Sequence, residues 1–182
     1  YFLICNDRIG RKGGGVACYI HSSLRVTVIA TFQGSDIDAP EYLIMELRLP
    51  NSETVLFASV YKRPKGLLLN EFIETLTSVS HSYKKIIGGD LNCNLLSTNF
   101  KANHLGELMS SVSMHIVHSD ATHHTATTDS WLDVIVVDDS EKVLRFVRSE
   151  SPFIAGHDLI ELSLSFGMNA EIERTILRRN LR

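Results

Sequence analysis

The sequence predicts an α/β fold, and three features of the chain support this class. Short runs rich in β-branched and apolar residues recur along the chain, which is typical of strands. The segment from Leu69 to Tyr83 has apolar residues at helical spacing and lies between two such runs, one ending at Tyr61 and one containing Ile87. A strand, a helix and a strand in this order favour a crossover connection and a layered α/β arrangement.

Composition restricts the class further. The chain has 182 residues, 44% of them hydrophobic, so one domain with one core is the default. The formal net charge is -3, with 18 Lys+Arg and 21 Asp+Glu, so nucleic-acid binding would require a local basic patch. No run approaches the roughly 20 apolar residues of a membrane span, and no signal-peptide pattern is present. Three cysteines without CxxC spacing indicate reduced, intracellular residues, and we expect Cys5 and Cys18 to fill the core.

The first third of the chain predicts five strands. The triple glycine Gly13-Gly14-Gly15 favours a flexible hairpin turn before the second strand, because no Gly-Lys-Ser/Thr sequence of a P-loop follows it. Pro50 to Glu53 forms a short turn between the fourth and fifth runs and predicts an antiparallel hairpin. The five predicted strands are Tyr1 to Cys5, Val16 to Ile20, Arg25 to Phe32, Glu41 to Leu49 and Thr54 to Tyr61.

The remainder of the chain predicts two helices and further strands. Leu69 to Tyr83 is the first helix, and after a polar loop from Leu95 to Asn103 a second helix is expected over His104 to Ser113. The charged, helix-competent tail from Asn169 to Arg182 predicts a linker toward a further region. The later predicted strands are His115 to His118, Trp131 to Val137, Val143 to Val147 and Leu159 to Phe166.

Eight residues in the middle of the chain, Ile86 to Cys93, carry the strongest chemical signal. If Ile86 and Ile87 end a buried strand, alternation places Asp90 and Asn92 on the same side of its carboxyl end, where open α/β sheets have their sites. A carboxylate there can bind a metal ion or take a proton from water, and an amide can hydrogen-bond a phosphoryl oxygen. The alternative is a strand exit with turn-forming Asp and Asn residues.

Other polar residues stand at strand ends. Tyr61 is followed by Lys62, Arg63 and Pro64, which places a phenol and positive charge at the rim of the sheet, although a tyrosine with its hydroxyl in water beside a solvated turn is the plainer interpretation. Asp133 interrupts an apolar run, so its carboxylate lies at a wet strand start or has a partner.

Histidines raise the question of a metal site. His115, His118, His123 and His124 lack a complete set of zinc ligands at suitable spacing, so polar loop and strand-end roles are the default. His157 differs, because it lies in a glycine-bounded loop just before a core strand.

Five motifs in order carry a resemblance to a known family. They are Gly13-Gly-Gly15-Val16, Tyr61-x-x-Pro64, Gly89-Asp90-Leu-Asn92, Ser130-x-Leu-Asp133 and His157. Together they resemble the endonuclease/exonuclease/phosphatase family, and most closely the apurinic-endonuclease-like domain of jockey-type non-LTR retrotransposons. The resemblance covers about Tyr1 to Phe166 and implies a DNase I-like fold, a four-layer α/β sandwich of two facing, mainly antiparallel sheets. It makes residues 1–166 the domain and 167–182 a linker.

The resemblance also implies a function. Such domains are Mg²⁺-dependent (or Mn²⁺-dependent) phosphodiesterases that nick DNA to prime reverse transcription. Asp90 would position and activate the attacking water, Asn92 would bind the scissile phosphate, and Tyr61 would lie beside it. His157 would stabilise charge on the phosphoryl group, with Asp133 holding its imidazole. Ser130 would support the strand of Asp133, and Ser130 and Arg63 would also contact substrate.

Departures from the family pattern define further expectations. The family's opening Asn strand and the strand with its metal-binding Glu are expected before Tyr1, so we expect a truncated domain with impaired activity. Gly156 stands where an acid usually precedes the histidine, and Asp158 is a candidate metal ligand from the other side.

The expected partners are DNA and possibly a fused downstream reverse transcriptase, with a monomeric domain, no membrane, and a nuclear and cytoplasmic location. Two alternatives stay open: a catalytically dead remnant that binds nucleic acid or another partner, and a branch acting on phosphoinositides, sphingomyelin or nucleotides.

Overall fold

A computed structural model describes most of the chain. Predictions that fall elsewhere, namely Gly13, the loop around Asp36 and the linker after Gly167, lie outside the described residues. Within the described part, neither helix is long and apolar enough to cross a membrane. The described residues are 1–8, 14–32, 38–66, 69–79, 83–151 and 156–167.

The described elements alternate largely as the sequence predicts. Two helices, α1 (Asn70–Val79) and α2 (Phe100–Ser111), and one turn of 3-10 helix (Ser140–Lys142) accompany twelve strands. The strands are β1 (Phe2–Asn6), β2 (Val16–Ile20), β3 (Arg25–Thr31), β4 (Glu41–Arg48), β5 (Thr54–Tyr61), β6 (Lys84–Asp90), β7 (His115–Ile116), β8 (His123–His124), β9 (Asp129–Ser130), β10 (Asp133–Val137), β11 (Val143–Glu150) and β12 (Asp158–Leu164).

A six-stranded mixed sheet forms the centre, in the order β3-β4-β5-β6-β10-β7. β4 and β5 form the predicted antiparallel hairpin. β5 and β6 run parallel, with α1 as the connection between them, so the predicted crossover is confirmed. All other pairs in this sheet are antiparallel. The crossover brings the carboxyl ends of β5 and β6 to the same edge of the sheet.

Alternation along β4 shows how the two faces of the sheet are used. Tyr42 and Ile44 are buried in the large core beneath both helices. Leu43 and Met45 are buried on the opposite face in a smaller cluster with Val16 of β2. Because successive strand residues point to opposite faces, β4 is apolar on both sides and is covered on both.

Two hairpins, β1-β2 and β11-β12, cover the face opposite the helices. A groove of about 700 Å³ lies between them and the central sheet, and its lining includes Cys18 of β2, Phe57 of β5 and Ile160 of β12. The arrangement has the DNase I-like architecture, of which the described residues supply the helix layer, the central sheet and strands of the facing layer.

Three local expectations were wrong. Helix α2 begins at Phe100 rather than at His104, because the side chain of Asn99 accepts a hydrogen bond from the N–H of Ala102 and caps the helix earlier. Cys5 is exposed and Cys18 only half-buried, so neither fills the core as expected. The strand expected from Trp131 begins at Asp133. The Asp133 carboxylate therefore lies at the strand start, and it is also hydrogen-bonded to Thr122 and His157.

Candidate active site

Four polar residues form a row across one edge of the central sheet. Glu41 is the register partner of Tyr61, Tyr61 of Asp90, and Asp90 of Asp133. Directly paired residues of neighbouring strands point to the same face, so this row places a phenol between carboxylates on one side of the sheet. Residues that are far apart in the sequence therefore meet because two strands end, and two begin, at this edge.

Gly89 allows the strand that carries Asp90 to approach its neighbour closely. A Cβ atom added at Gly89 would lie 1.8 Å from the carbonyl oxygen of Val60, so no side chain fits there. Beyond the glycine, the N–H of Lys62 donates to the carbonyl of Asp90 at 2.9 Å and continues the contact past the strand end. Gly89 of the Gly-Gly-Asp motif thus serves the close packing of two strands.

Asn92 is bound to Asp90 rather than merely placed on the same side. Its backbone is left-handed, with φ 45°, which ends the strand alternation. Its N–H donates to Asp90 Oδ1 at 2.8 Å, and its Nδ2 donates to Asp90 Oδ2 at 2.9 Å and to the carbonyl of Lys62 at 2.8 Å. Asn92 therefore orients the Asp90 carboxylate, and its amide nitrogen already has two acceptors.

Burial raises the pKa of the Asp90 carboxyl above its ordinary value. The backbone hydrogen bond from Asn92 opposes that rise, the nearby Asp133 carboxylate adds to it, and His157 and the Asn92 side chain oppose it. A carboxylate whose charged form is disfavoured in this way is a better proton acceptor, and a cation beside it would be stabilising.

Asp133 and His157 form a hydrogen-bonded pair. His157 Nδ1 lies 2.9 Å from Asp133 Oδ2, and both side chains are largely buried. With Nδ1 directed at the carboxylate, Nε2 is the ring nitrogen that remains for other contacts, and it has no hydrogen bond among the described residues. Asp133 thus holds the imidazole in one orientation.

Thr122 is a residue of this site that the sequence analysis missed. Its side chain is fully buried, and its hydroxyl donates to Asp133 Oδ2 at 2.8 Å. The Oγ1 atom of Thr122 also accepts hydrogen bonds from the N–H of Asp133 at 2.9 Å and from the N–H of Leu132 at 3.1 Å. Thr122 stands in a Ser/Thr-rich loop, and no local sequence feature distinguishes it from the other Ser and Thr residues there. Ser130 supports this loop through its carbonyl, which accepts from the N–H of Thr122 at 2.9 Å.

A tight turn brings His157 to the sheet edge. Gly156 has φ 81°, and a Cβ there would lie 3.0 Å from the carbonyl oxygen of His124. His157 forms a backbone bridge with His123, and the two rings lie 4.5 Å apart. Packing against the His123 ring therefore also restrains the imidazole of His157.

Asp90, Asp133 and His157 form the group best suited to a metal ion. One ligand atom from each lies within 4.8 Å of the others, and no other such group occurs in the part of the chain that is described. Because His157 Nδ1 is engaged with Asp133, the two carboxylates are the available oxygen donors, and Asp133 Oδ1 has no hydrogen bond within the described residues. Oxygen donors are the ligands that Mg²⁺ prefers, so the donor set fits that ion.

Asp158, the candidate metal ligand, is not part of this group. Its side chain is 8% exposed and accepts from Arg148 Nη1 at 2.7 Å. His124 Nε2 lies 3.1 Å from the same oxygen. Asp158 borders the groove that also contains Asp90 and Asp133, but its carboxylate is already in contact with Arg148 and His124.

Tyr61 and Arg63 line a separate cleft of about 660 Å³ at the other end of the row. Arg8 and Lys65 line it as well, so three cationic side chains surround this cleft, together with the carboxylate of Asp38. Arg8 is held by an ion pair with Glu41, the first residue of the row. The cleft supplies the local positive charge that an overall negative chain needs to bind a polyanion.

Comparisons with known proteins bear on the family and the fold of the chain. The family model described as endonuclease-reverse transcriptase matches residues 55–170. This range includes Tyr61, Asp90, Asn92, Asp133 and His157. No curated protein matches the chain.

Solved structures resemble the chain in fold. The endonuclease domain of TRAS1, a telomere-specific non-LTR retrotransposon, superposes with a TM-score of 0.67 at 14% identity, over 89% of this chain and 78% of that one. An endonuclease/exonuclease/phosphatase family protein of Leptotrichia buccalis gives 0.64 at 17% identity, over 91% and 71%. A mannosyl-6-phosphatase of Bacteroides thetaiotaomicron gives 0.60 at 15% identity, over 91% and 77%.

Proposed function

Because this chain belongs to the endonuclease-reverse transcriptase family and has a DNase I-like fold, we propose that it is a retrotransposon nuclease domain. In this proposal it is a phosphodiesterase that depends on Mg²⁺ or Mn²⁺ and nicks DNA, and the nick primes reverse transcription. The observation that carries the proposal is the juxtaposition of Asp90, Asp133 and His157 beside Tyr61 at one sheet edge.

Hydrolysis of a phosphodiester needs a positioned water, neutralised charge and a fixed reacting geometry. Asp90 has a buried carboxylate oriented by Asn92, so it is the group that would orient the water and accept its proton. His157 would stabilise charge on the phosphoryl group through Nε2, the nitrogen left by its bond to Asp133. Tyr61 would lie beside the phosphate, since it neighbours Asp90 in the row.

Asp90 and Asp133 would hold a divalent ion, which when bound supplies charge neutralisation at the phosphate. The resemblance places a further metal-binding Glu and an Asn on strands before Tyr1. We therefore propose that residues 1–182 alone nick DNA weakly, and that a chain carrying those two strands nicks DNA faster. A fused reverse transcriptase and a nuclear and cytoplasmic location belong to the same proposal.

Conversion of supercoiled plasmid to open circles tests this function directly. With Mg²⁺, a chain that carries the two further strands should nick DNA, and EDTA should stop the reaction. Asp90→Ala and His157→Ala should each lower the rate by at least about 100-fold, since each removes a group acting at the reacting phosphate.

Matched controls make the assay specific. Asp120→Ala and His115→Ala remove exposed side chains of the same types, and both should nick at the unaltered rate. Wild-type rates in Asp90→Ala would remove that residue from the mechanism. Absence of nicking by the longer chain, with a folded protein, would refute the nuclease assignment and favour a remnant that only binds.

A further inference from the structure

A second polar cavity lies on the far side of His157. Its volume is about 630 Å³, and it opens between the β8 region and the hairpin of β11 and β12. It is distinct from the cleft at Tyr61, so the two cavities flank the catalytic row at opposite ends. The side chains that decide its chemistry are His124, Arg148, Ser149, Glu150, His157 and Asp158.

Arg148 is fixed in this cavity with part of its guanidinium group unused. Its Nη1 donates to the carbonyl of Ala121 at 2.8 Å and to Asp158 Oδ2 at 2.7 Å. Its Nε and Nη2 have no hydrogen bond among the described residues, and one third of the side chain is exposed. A guanidinium held at one nitrogen presents its other N–H groups in a rigid fork, which suits a phosphate.

Asp158 holds Arg148 and His124 at one side of the cavity. Its carboxylate is almost fully buried and contacts both Arg148 and His124. Hydrogen bonds to Asp129 and then to Asp158 raise the pKa of His124, so its positive charge is favoured beside that carboxylate. Asp158 therefore pairs with Arg148, and His124 is contacted by both Asp129 and Asp158, while Nε and Nη2 of Arg148 stay without a hydrogen bond among the described residues.

We propose that this cavity is a subsite for a backbone phosphate next to the scissile one, with Arg148 as its main contact. The proposal rests on the proposed function. His157 belongs both to the cavity and to the group of Asp90 and Asp133. A nucleic-acid strand carries a phosphate at every nucleotide, so a phosphate at His157 has neighbours along the strand, and this cavity is one that His157 also lines.

Glu150 gives the proposal a second, opposite consequence. Its carboxylate is exposed and lines the same cavity, so it repels a phosphate bound there. Removal of this charge should therefore strengthen DNA binding, whereas removal of the Arg148 charge should weaken it. A cavity that binds no phosphate would show neither effect beyond that of any surface charge.

Salt-dependent binding of a fluorescent 20-base-pair DNA duplex, measured by anisotropy in EDTA, tests the subsite without requiring cleavage. One phosphate contact contributes about 0.9 to the slope of log K against log salt. Arg148→Gln should lower that slope by about 0.9, so its affinity deficit should shrink about 3.5-fold between 50 and 200 mM salt. Arg145→Gln is the matched control, since this exposed arginine of β11 lies outside the cavity.

Two further variants separate a phosphate contact from a structural role. Arg148→Lys keeps the charge but loses the Nη1 contacts to Ala121 and Asp158, so it should keep the slope of the unaltered chain. Glu150→Gln should bind more tightly. Equal slopes for Arg148→Gln and Arg145→Gln would overturn the subsite, as would equal losses in Arg148→Lys and Arg148→Gln. If the unaltered chain binds no DNA, the assignment of DNA as the substrate is refuted, and the subsite proposal is refuted with it.

Discussion

Replacement of Thr122 by Val tests the support of the Asp133–His157 pair. Valine has the same shape as threonine but lacks the hydroxyl, so the substitution removes three hydrogen bonds and leaves the packing in place. The bonds are the one donated to Asp133 Oδ2 at 2.8 Å and those accepted from the N–H groups of Asp133 and Leu132 at 2.9 and 3.1 Å.

The energetic cost follows from the burial of the groups that lose their hydrogen bonds. Thr122 is 0% exposed, so no solvent reaches the position of its hydroxyl to replace the lost acceptor. An unsatisfied buried polar group costs about 1–3 kcal/mol, and two backbone N–H groups lose their acceptor. We expect Thr122→Val to lower the free energy of unfolding by about 2–5 kcal/mol.

Urea unfolding followed by the fluorescence of Trp131 measures this change. Trp131 is the single tryptophan of the chain, and its Nε1 donates to the carbonyl of Asp133 at 3.1 Å, so it reports on this region. With a urea m-value of about 2.5 kcal/mol/M, a loss of about 3 kcal/mol shifts the midpoint by about 1.2 M.

Thr122→Ser is the matched control, because it keeps the hydroxyl and loses one methyl group. It should cost about 0.5–1.5 kcal/mol. If the valine variant were no less stable than the serine variant, the hydroxyl would not support Asp133. In the plasmid assay, Thr122→Val should also nick more slowly than Thr122→Ser, since only the former frees the carboxylate that holds His157.

Two other predictions concern packing and pH. Gly89→Ala should destabilise the fold by more than about 3 kcal/mol, because the added Cβ would meet the carbonyl of Val60. Gly106→Ala is the control, because the space around the added atom is open, and it should stabilise α2 by about 1 kcal/mol. Similar thermal shifts for the two variants would refute the close contact at Gly89. The hydrogen bond to Asp129 is the largest cause of the raised pKa of His124. The contribution of His124 to folding stability is therefore complete below its ordinary pKa, and it is lost as the pH rises through the raised pKa of the folded state. His124→Gln should therefore be less stable than the unaltered chain at pH 5.5, and the difference should vanish at alkaline pH; a difference that does not change with pH would contradict this linkage.

Local pattern predicted the order of the elements well. Strands β2 and β5 match their predicted bounds, because alternation and turn residues mark both ends of each run. The crossover from β5 through α1 to β6 was also predictable, since helical spacing between two strands allows few arrangements. The start of α2 was not, because the cap at Asn99 lies inside a polar loop with several residues that can cap a helix.

The candidate site, too, was only partly predictable from the sequence. Sequence reasoning placed Asp90 and Asn92 together through strand alternation, and they do lie together, but a left-handed turn at Asn92 is the cause. Backbone conformation at a single residue depends on contacts that the turn makes, here with Lys62, and periodicity does not encode them. Asp158 was a candidate metal ligand, and only tertiary contacts show that Arg148 and His124 occupy its carboxylate.

The sequence by itself determined that Tyr61 and Asp90 stand at strand ends, and so that both side chains are at the edge of an α/β sheet. Local periodicity and turn chemistry suffice for this, because they act over a few neighbouring residues. Only the tertiary structure decided that Thr122 holds Asp133, that His157 joins it, and that Arg148 faces a cavity beside both. These contacts join segments that lie 10 or more residues apart, and their geometry depends on the strand register that the whole core imposes.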